Sequence, residues 1–233
     1  MKIFVDSASP SEVKRFAESG ILGGVTTNPT LLVKQISDVI DSSQEAFLRQ
    51  KKVLKEICDA TFNNKEIPIL AEPVSTDAAG IEKEALELCA VSSSQIVAKI
   101  PLTAEGLVAA RRIKSVKKIR VAFTLIFSPS QALIAAAAGA DYICPFVGRL
   151  DDSGENGVAV ISQMENIYRA CRIPTKIIAA SIRNVEHVTG CASAGVYAAT
   201  CPPKVIDEMI AHPLTAKGVE RFVSDWNNII KKK

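Results

Sequence analysis

The sequence is poor in the residues from which many sites are built. It has two histidines, one tryptophan and 5% aromatics in 233 residues. His187 and His212 stand apart, and the six cysteines (Cys58, Cys89, Cys144, Cys171, Cys191, Cys201) never form a CxxC. Both facts argue against a zinc site, so no metal is expected. The thiols are expected to be reduced and mostly buried as small hydrophobes. No apolar run reaches the roughly 18 residues of a membrane span. ALIAAAAGA at 132–140 is among the longest. MKIFVDS shows no charged, apolar and cleavage-site succession of a leader, so a cytoplasmic, membrane-free protein is expected. Charge of one sign is also scarce. The net charge is +3, which the terminal KKK supplies by itself. Nothing in that balance points to a nucleic-acid partner. The densest basic stretch, RRIKSVKKIR at 111–120, reads as a solvated helix end and loop.

What is present is a regular alternation. Eight short apolar runs read as strands: 2–6, 23–29, 67–74, 95–101, 120–127, 141–147, 175–181 and 195–200. Helical stretches separate them. In 43–62, Phe47, Leu54, Ile57, Cys58 and Phe62 fall near one face. SPSEVKRFAESG, TDAAGIEKEALELCAV, LTAEGLVAARRIK, SPSQALIAAAAG and NGVAVISQMENIYRAC follow the same pattern. Strands apolar throughout are strands buried on both faces. Eight of them alternating with helices in this length predict a single (β/α)8 barrel domain, an α/β fold, over 1–233. A doubly wound open sheet is the alternative, but it favours a glycine-rich fingerprint after the first strand. VDSASP has none. One amphipathic segment, 215–233, exceeds what the barrel needs. Its stripe of Val219, Phe222, Trp226 and Ile229 must bury against the barrel or a neighbouring subunit.

In such a barrel the chemistry sits at the C-terminal ends of the strands. The polar residues there are Asp6, then Thr26, Thr27 and Asn28, then Glu72, Lys99 and Thr124. Cys144 and Arg149 follow strand six, and Ser181 and Arg183 strand seven. Thr200 closes strand eight without an assigned role. Each alone has a structural explanation: an N-cap, a strand threonine, a surface ion pair, a snorkelling lysine. Two acids, a lysine, an amide and a hydroxyl at one barrel mouth read together as a site, because burying their charges is costly unless they serve one another.

IVAKIP at 96–101 poses the question most sharply. Alternation puts Val97, Lys99 and Pro101 on one face and Ile96, Ala98 and Ile100 on the other. A buried lysine among carboxylates suits Schiff-base formation with a carbonyl. The amine must be neutral to attack, so desolvation is expected to lower its pKa. Asp6 and Glu72 are therefore expected to stand off Lys99 and to move protons on substrate and intermediate. Arg149, Ser181 and Arg183 suit a phosphate. A non-catalytic barrel that binds a phosphate ligand, with Lys99 as a structural ion pair, is the competing reading.

VDSAS, VTTNPTLL, VAKIP, FTLIFSPSQA, CPFVGRLDD, AASIRN and HPLTAKGVERF together resemble the transaldolase family. The likeness is to its small-subunit branch, which includes fructose-6-phosphate aldolase, and it runs from residue 3 to about 226. The resemblance implies a barrel with no cofactor. It implies transfer of a dihydroxyacetone unit from a ketose phosphate (fructose 6-phosphate or sedoheptulose 7-phosphate) to an aldose phosphate in the pentose phosphate pathway. It implies Lys99 as the Schiff-base residue and Asp6 as the acid/base at the C4 hydroxyl. Asn28, with Thr26 beside it, would hold the intermediate's hydroxyls. Glu72 and Thr124 would hold a water, and Arg149, Ser181 and Arg183 the phosphate. It also implies a homo-oligomer, a pentamer or decamer, with the last helix reaching a neighbour. At Cys144 transaldolases usually carry serine, a better donor to a substrate hydroxyl. At Phe146 and Glu72 the aldolases of the family resemble one another in carrying tyrosine and glutamine. Phenylalanine and glutamate here favour transfer over free aldol cleavage.

Overall fold

The computed structural model describes residues 1–36, 42–116 and 119–230. Lys117 and Lys118 of the basic stretch and the terminal KKK lie outside them. The elements run β1 (Lys2–Asp6), α1 (Pro10–Glu18), β2 (Leu22–Thr26), α2 (Pro29–Gln35), α3 (Ser43–Ala60), β3 (Ile69–Ala71) and α4 (Ala78–Val91). β4 (Ile96–Pro101), α5 (Ala104–Val116), β5 (Val121–Ile126), α6 (Pro129–Ala137), β6 (Tyr142–Pro145), α7 (Val147–Asp152) and α8 (Gly157–Ala170) follow. The chain closes with β7 (Lys176–Ala179), α9 (Val185–Ala194), β8 (Ala198–Cys201), α10 (Pro203–Ile210) and α11 (Pro213–Ile230). Every strand pairs in parallel with the next, and β8 pairs with β1, so the sheet closes into the expected barrel. Among the described residues no helix is long and apolar enough to cross a membrane.

Helix starts are written into the sequence. Asn28, Ser42, Asp77, Ser128, Asn156 and Asn184 each accept a hydrogen bond from the backbone N–H three residues on. Each satisfies one of the donors that a helix leaves unpaired at its N-terminus.

Strand alternation divides the core in two. Ile96, Ala98 and Ile100 pack outward under the helices, whereas Val97 points into the barrel. Phe4, Leu70, Val97, Ala122, Ile178 and Ala198 fill the interior with no exposed surface. Gly24 makes room for this plug, since a Cβ there would lie 2.3 Å from the Phe4 ring. Below it Tyr142 and Tyr197 sit with ring centroids 6.0 Å apart. Lys176 lies 4.7 Å from the Tyr197 centroid, a cation–π contact that caps the floor.

Some boundaries differ from expectation. β3 has three residues rather than eight, because Pro68 and Pro73 cannot donate to a ladder at either end. β8 begins at Ala198, not at 195, because Gly195 is the left-handed C-cap of α9 at φ +90°. The helices α9 and α10 are those that the eightfold alternation requires after strands seven and eight, whereas α2 and α7 exceed it. The last segment is a helix as expected. Leu214, Phe222, Trp226 and Ile229 on it are 64–74% exposed, so among the described residues its apolar stripe is uncovered.

Candidate active site

The mouth is built by residues two positions above the interior plug. On β1 Phe4 fills the barrel and Asp6 follows it on the same face; on β4 Val97 precedes Lys99 in the same way. A cavity of about 130 Å³ opens there. Asp6, Thr26, Asn28, Lys99, Cys144, Phe146, Arg149 and Ser181, all singled out from the sequence, line it with Ala180 and Thr200.

Lys99 is 4% exposed. Its Nζ lies 2.9 Å from Glu72 Oε2 and donates to the Thr27 carbonyl at 2.9 Å. Expectation is corrected here. Glu72 does not stand off; it is in direct contact. The lysine's pKa is not lowered either. Burial is the largest single influence and pulls it down, but Glu72, Cys144 and Asp6 together outweigh it, and the net direction is upward. The resting amine is held as an ammonium, because a deeply buried cation keeps its charge once a carboxylate touches it.

Asp6 behaves as expected in this respect and forms no ion pair with Lys99. It accepts a hydrogen bond from Thr26 Oγ1 at 2.7 Å. Burial pushes its pKa up, against the Lys99 charge and the Thr26 bond, which pull it down. The Thr26 hydroxyl also meets Thr200 Oγ1 at 2.6 Å. Thr200 is thus a mouth residue that sequence reasoning left without a role. Ala198 and Thr200 alternate as Phe4 and Asp6 do, and that periodicity was the available signal.

Asn28 serves twice. Its Oδ1 caps α2 by accepting from Leu31 N at 2.9 Å, which leaves its NH₂ as the group free to donate to a ligand. Thr124 is wholly buried, and among the described residues its Oγ1 has no hydrogen-bond partner. It pairs in register with Cys144. Burial pushes the Cys144 thiol up to about 12, so at neutral pH it is an uncharged, weak donor.

The outer wall is α7 and the segment after β7. The Arg149 guanidinium lies 4.8 Å from the Phe146 ring centroid, and Phe146 meets Phe127 edge-on at 5.7 Å. Gly148 N donates to the Ser181 carbonyl at 3.0 Å. A Cβ on Gly148 would lie 2.5 Å from that oxygen, so only glycine allows this approach. Ser181 itself sits at φ +57°. A left-handed serine is strained, and such residues collect at functional sites. Arg183 lies apart from the cavity lining and pairs with both carboxylate oxygens of Asp152.

The site is thus a buried amine at the mouth of a closed parallel barrel, with one acid touching it and a second held by a threonine nearby. Comparison with known proteins narrows this. The model of the transaldolase/fructose-6-phosphate aldolase family matches residues 3–233, and the chain belongs to that family. A probable transaldolase of Brevibacillus brevis is 43% identical over 99% of this chain and all of its own length. One from Alkaliphilus metalliredigens is 44% identical over the same shares. Solved structures agree on the fold alone. A putative phosphonomutase from Burkholderia cenocepacia superposes with a TM-score of 0.62 at 12% identity, covering 96% of this chain and 92% of that one. Thiamine phosphate pyrophosphorylase from Pyrococcus furiosus gives 0.61 at 11%, covering 86% and 85%.

Proposed function

We propose that this protein is a transaldolase that moves a dihydroxyacetone unit from a ketose phosphate to an aldose phosphate through a Schiff base on Lys99. The observation that carries the reading is the Lys99–Glu72 contact, 2.9 Å long and almost closed to solvent. In this reading Glu72 takes a proton from the ammonium as the ketose enters. The neutral Nζ attacks the C2 carbonyl, and the carbinolamine loses water with Glu72 and the lone Thr124 hydroxyl around that water. Asp6, whose pKa burial raises, takes the C4 hydroxyl proton. The C3–C4 bond breaks, its electron pair passes into the enamine, and the aldose phosphate leaves. An incoming aldehyde then reverses these steps.

Asn28 and Thr26 hold the intermediate's hydroxyls. Arg149 and Ser181 grip the phosphate at the outer wall, and Arg183 joins them only by leaving Asp152. Phe146 places no phenol over the enamine to protonate it, so the enamine waits for an acceptor. The fitting role is in the non-oxidative pentose phosphate pathway of the cytoplasm. The exposed face of α11 suits a neighbouring copy in a homo-oligomer, with Phe222 and Trp226 as anchors.

Borohydride reduction in the presence of fructose 6-phosphate tests the chemistry. A three-carbon adduct on the Lys99 peptide is expected; no adduct, or one on another lysine, would falsify it. Rapid dihydroxyacetone release without erythrose 4-phosphate would favour an aldolase instead. Deleting 215–233 should lower the mass seen in light scattering, and an unchanged mass would count against the assembly.

A further inference from the structure

We propose that Gln50 is a positioning residue that holds the end of β3 so that Glu72 reaches the reacting amine. Gln50 is on α3 and is 3% exposed. A buried amide needs partners, since glutamine is seldom found inside a protein without them. Its Nε2 donates to the backbone carbonyl of Glu72 at 2.9 Å. That carbonyl lies just where the β3 ladder stops. Leu70 and Ala71 are in register with Val97 and Ala98, and no further pair follows. Pro73 comes next and has no N–H to give. The strand end that carries the key carboxylate therefore lies beyond the last ladder pair of its own strand.

Gln50 supplies the missing bond from the helix side. From the other side Glu84 Oε2 accepts from Val74 N at 2.7 Å and Ser75 N at 3.0 Å. Glu72 is bracketed between these two anchors. The tolerance is small, because a drift of about 1 Å takes a 2.9 Å contact beyond hydrogen-bonding range. The Gln50 amide also borders a groove of about 400 Å³ lined by Leu32, Val33, Phe47 and Val74. The mostly apolar wall beside it strengthens the bond to Glu72.

The proposal rests on Lys99 as the reacting amine, but its test needs no turnover. The pH dependence of Lys99 acetylation by acetic anhydride is read by mass spectrometry in the full-length protein. Only the neutral amine reacts, so loss of the Glu72 contact moves the profile to lower pH. Glu72→Gln sets the full effect. Gln50→Met, similar in volume and without a donor, should move the profile the same way. Acetylation at pH about 8 should be at least about threefold faster, equivalent to about half a pH unit. Gln50→Glu, whose ionised form can only accept, should do likewise and serves if Gln50→Met does not fold. A wild-type profile in the Gln50 variants beside a shifted Glu72→Gln overturns the proposal. So does an unshifted Glu72→Gln, since there is then no contact to position. Borohydride trapping of the wild type decides the Schiff-base reading separately.

Discussion

Glu72→Gln removes one charge from a buried pair and leaves the shape nearly unchanged. In the wild type the net effect on Lys99 is a raised pKa. Such a group contributes stability that is fully present below its unfolded value, about 10.4, and that is lost as pH rises through the folded value. In the variant the carboxylate is gone and burial becomes the leading influence, so the folded pKa falls below the unfolded one. The sign reverses. At neutral pH the variant carries a buried ammonium that has lost its touching carboxylate and keeps the Thr27 carbonyl and, farther off, Asp6, and breaking a buried pair in this way costs about 3–5 kcal/mol. As pH rises, shedding the proton relieves the cost by up to about 1.4 kcal/mol per pH unit. Urea unfolding at equal protein concentration, at pH about 7 and about 9.5, measures both terms. The expected gap to wild type is about 3–5 kcal/mol at the lower pH and distinctly smaller at the higher. A gap under about 1 kcal/mol that is the same at both values would refute the reasoning, because it would mean that the amine does not depend on Glu72 for its charge.

Asp6→Asn keeps the Thr26 bond but cannot take a proton, so kcat should fall by about 10²–10⁴ while KM changes little; a pure KM effect would move Asp6 from chemistry to binding. Iodoacetamide at pH about 8 should label exposed Cys171 and spare Cys144, Cys191 and Cys201, whose thiols burial pushes up to about 12, 11 and 12. Rapid labelling of Cys144 in peptide mapping would show a mouth wetter than described. Gly24→Ala drives a methyl into the Phe4 ring and should cost about 1–3 kcal/mol in denaturant unfolding. A neutral result would mean that the interior plug is loosely packed.

Much of the fold was legible because parallel strands buried on both faces leave dense apolar runs, and helix starts announce themselves through residues such as Ser42, Asp77 and Asn156. Boundaries were less so. Gly195 reads as part of a strand until its left-handed φ shows it ending a helix. α7 has only six residues, too few for a hydrophobic period to register. At the site, strand alternation located Asp6 and Lys99, and the same rule would have reached Thr200. The Lys99–Glu72 contact was not legible, and the opposite was expected. It depends on the lateral distance between neighbouring strands and on side-chain reach, neither of which periodicity encodes. Gln50 was hidden for a related reason: its bond is to a backbone carbonyl, which leaves no mark on residue identity.

The packed floor of the barrel has a consequence for traffic. Phe4, Leu70, Val97, Ala122, Ile178 and Ala198 seal one end, so the chamber has one door. A first product must back out by the route the second reactant takes in. On the Schiff-base transfer proposed above, the first product then leaves before the second reactant enters, a double-displacement order. Initial-rate plots against one reactant at several levels of the other should then be parallel lines, with each reactant in excess inhibiting the other by holding the doorway.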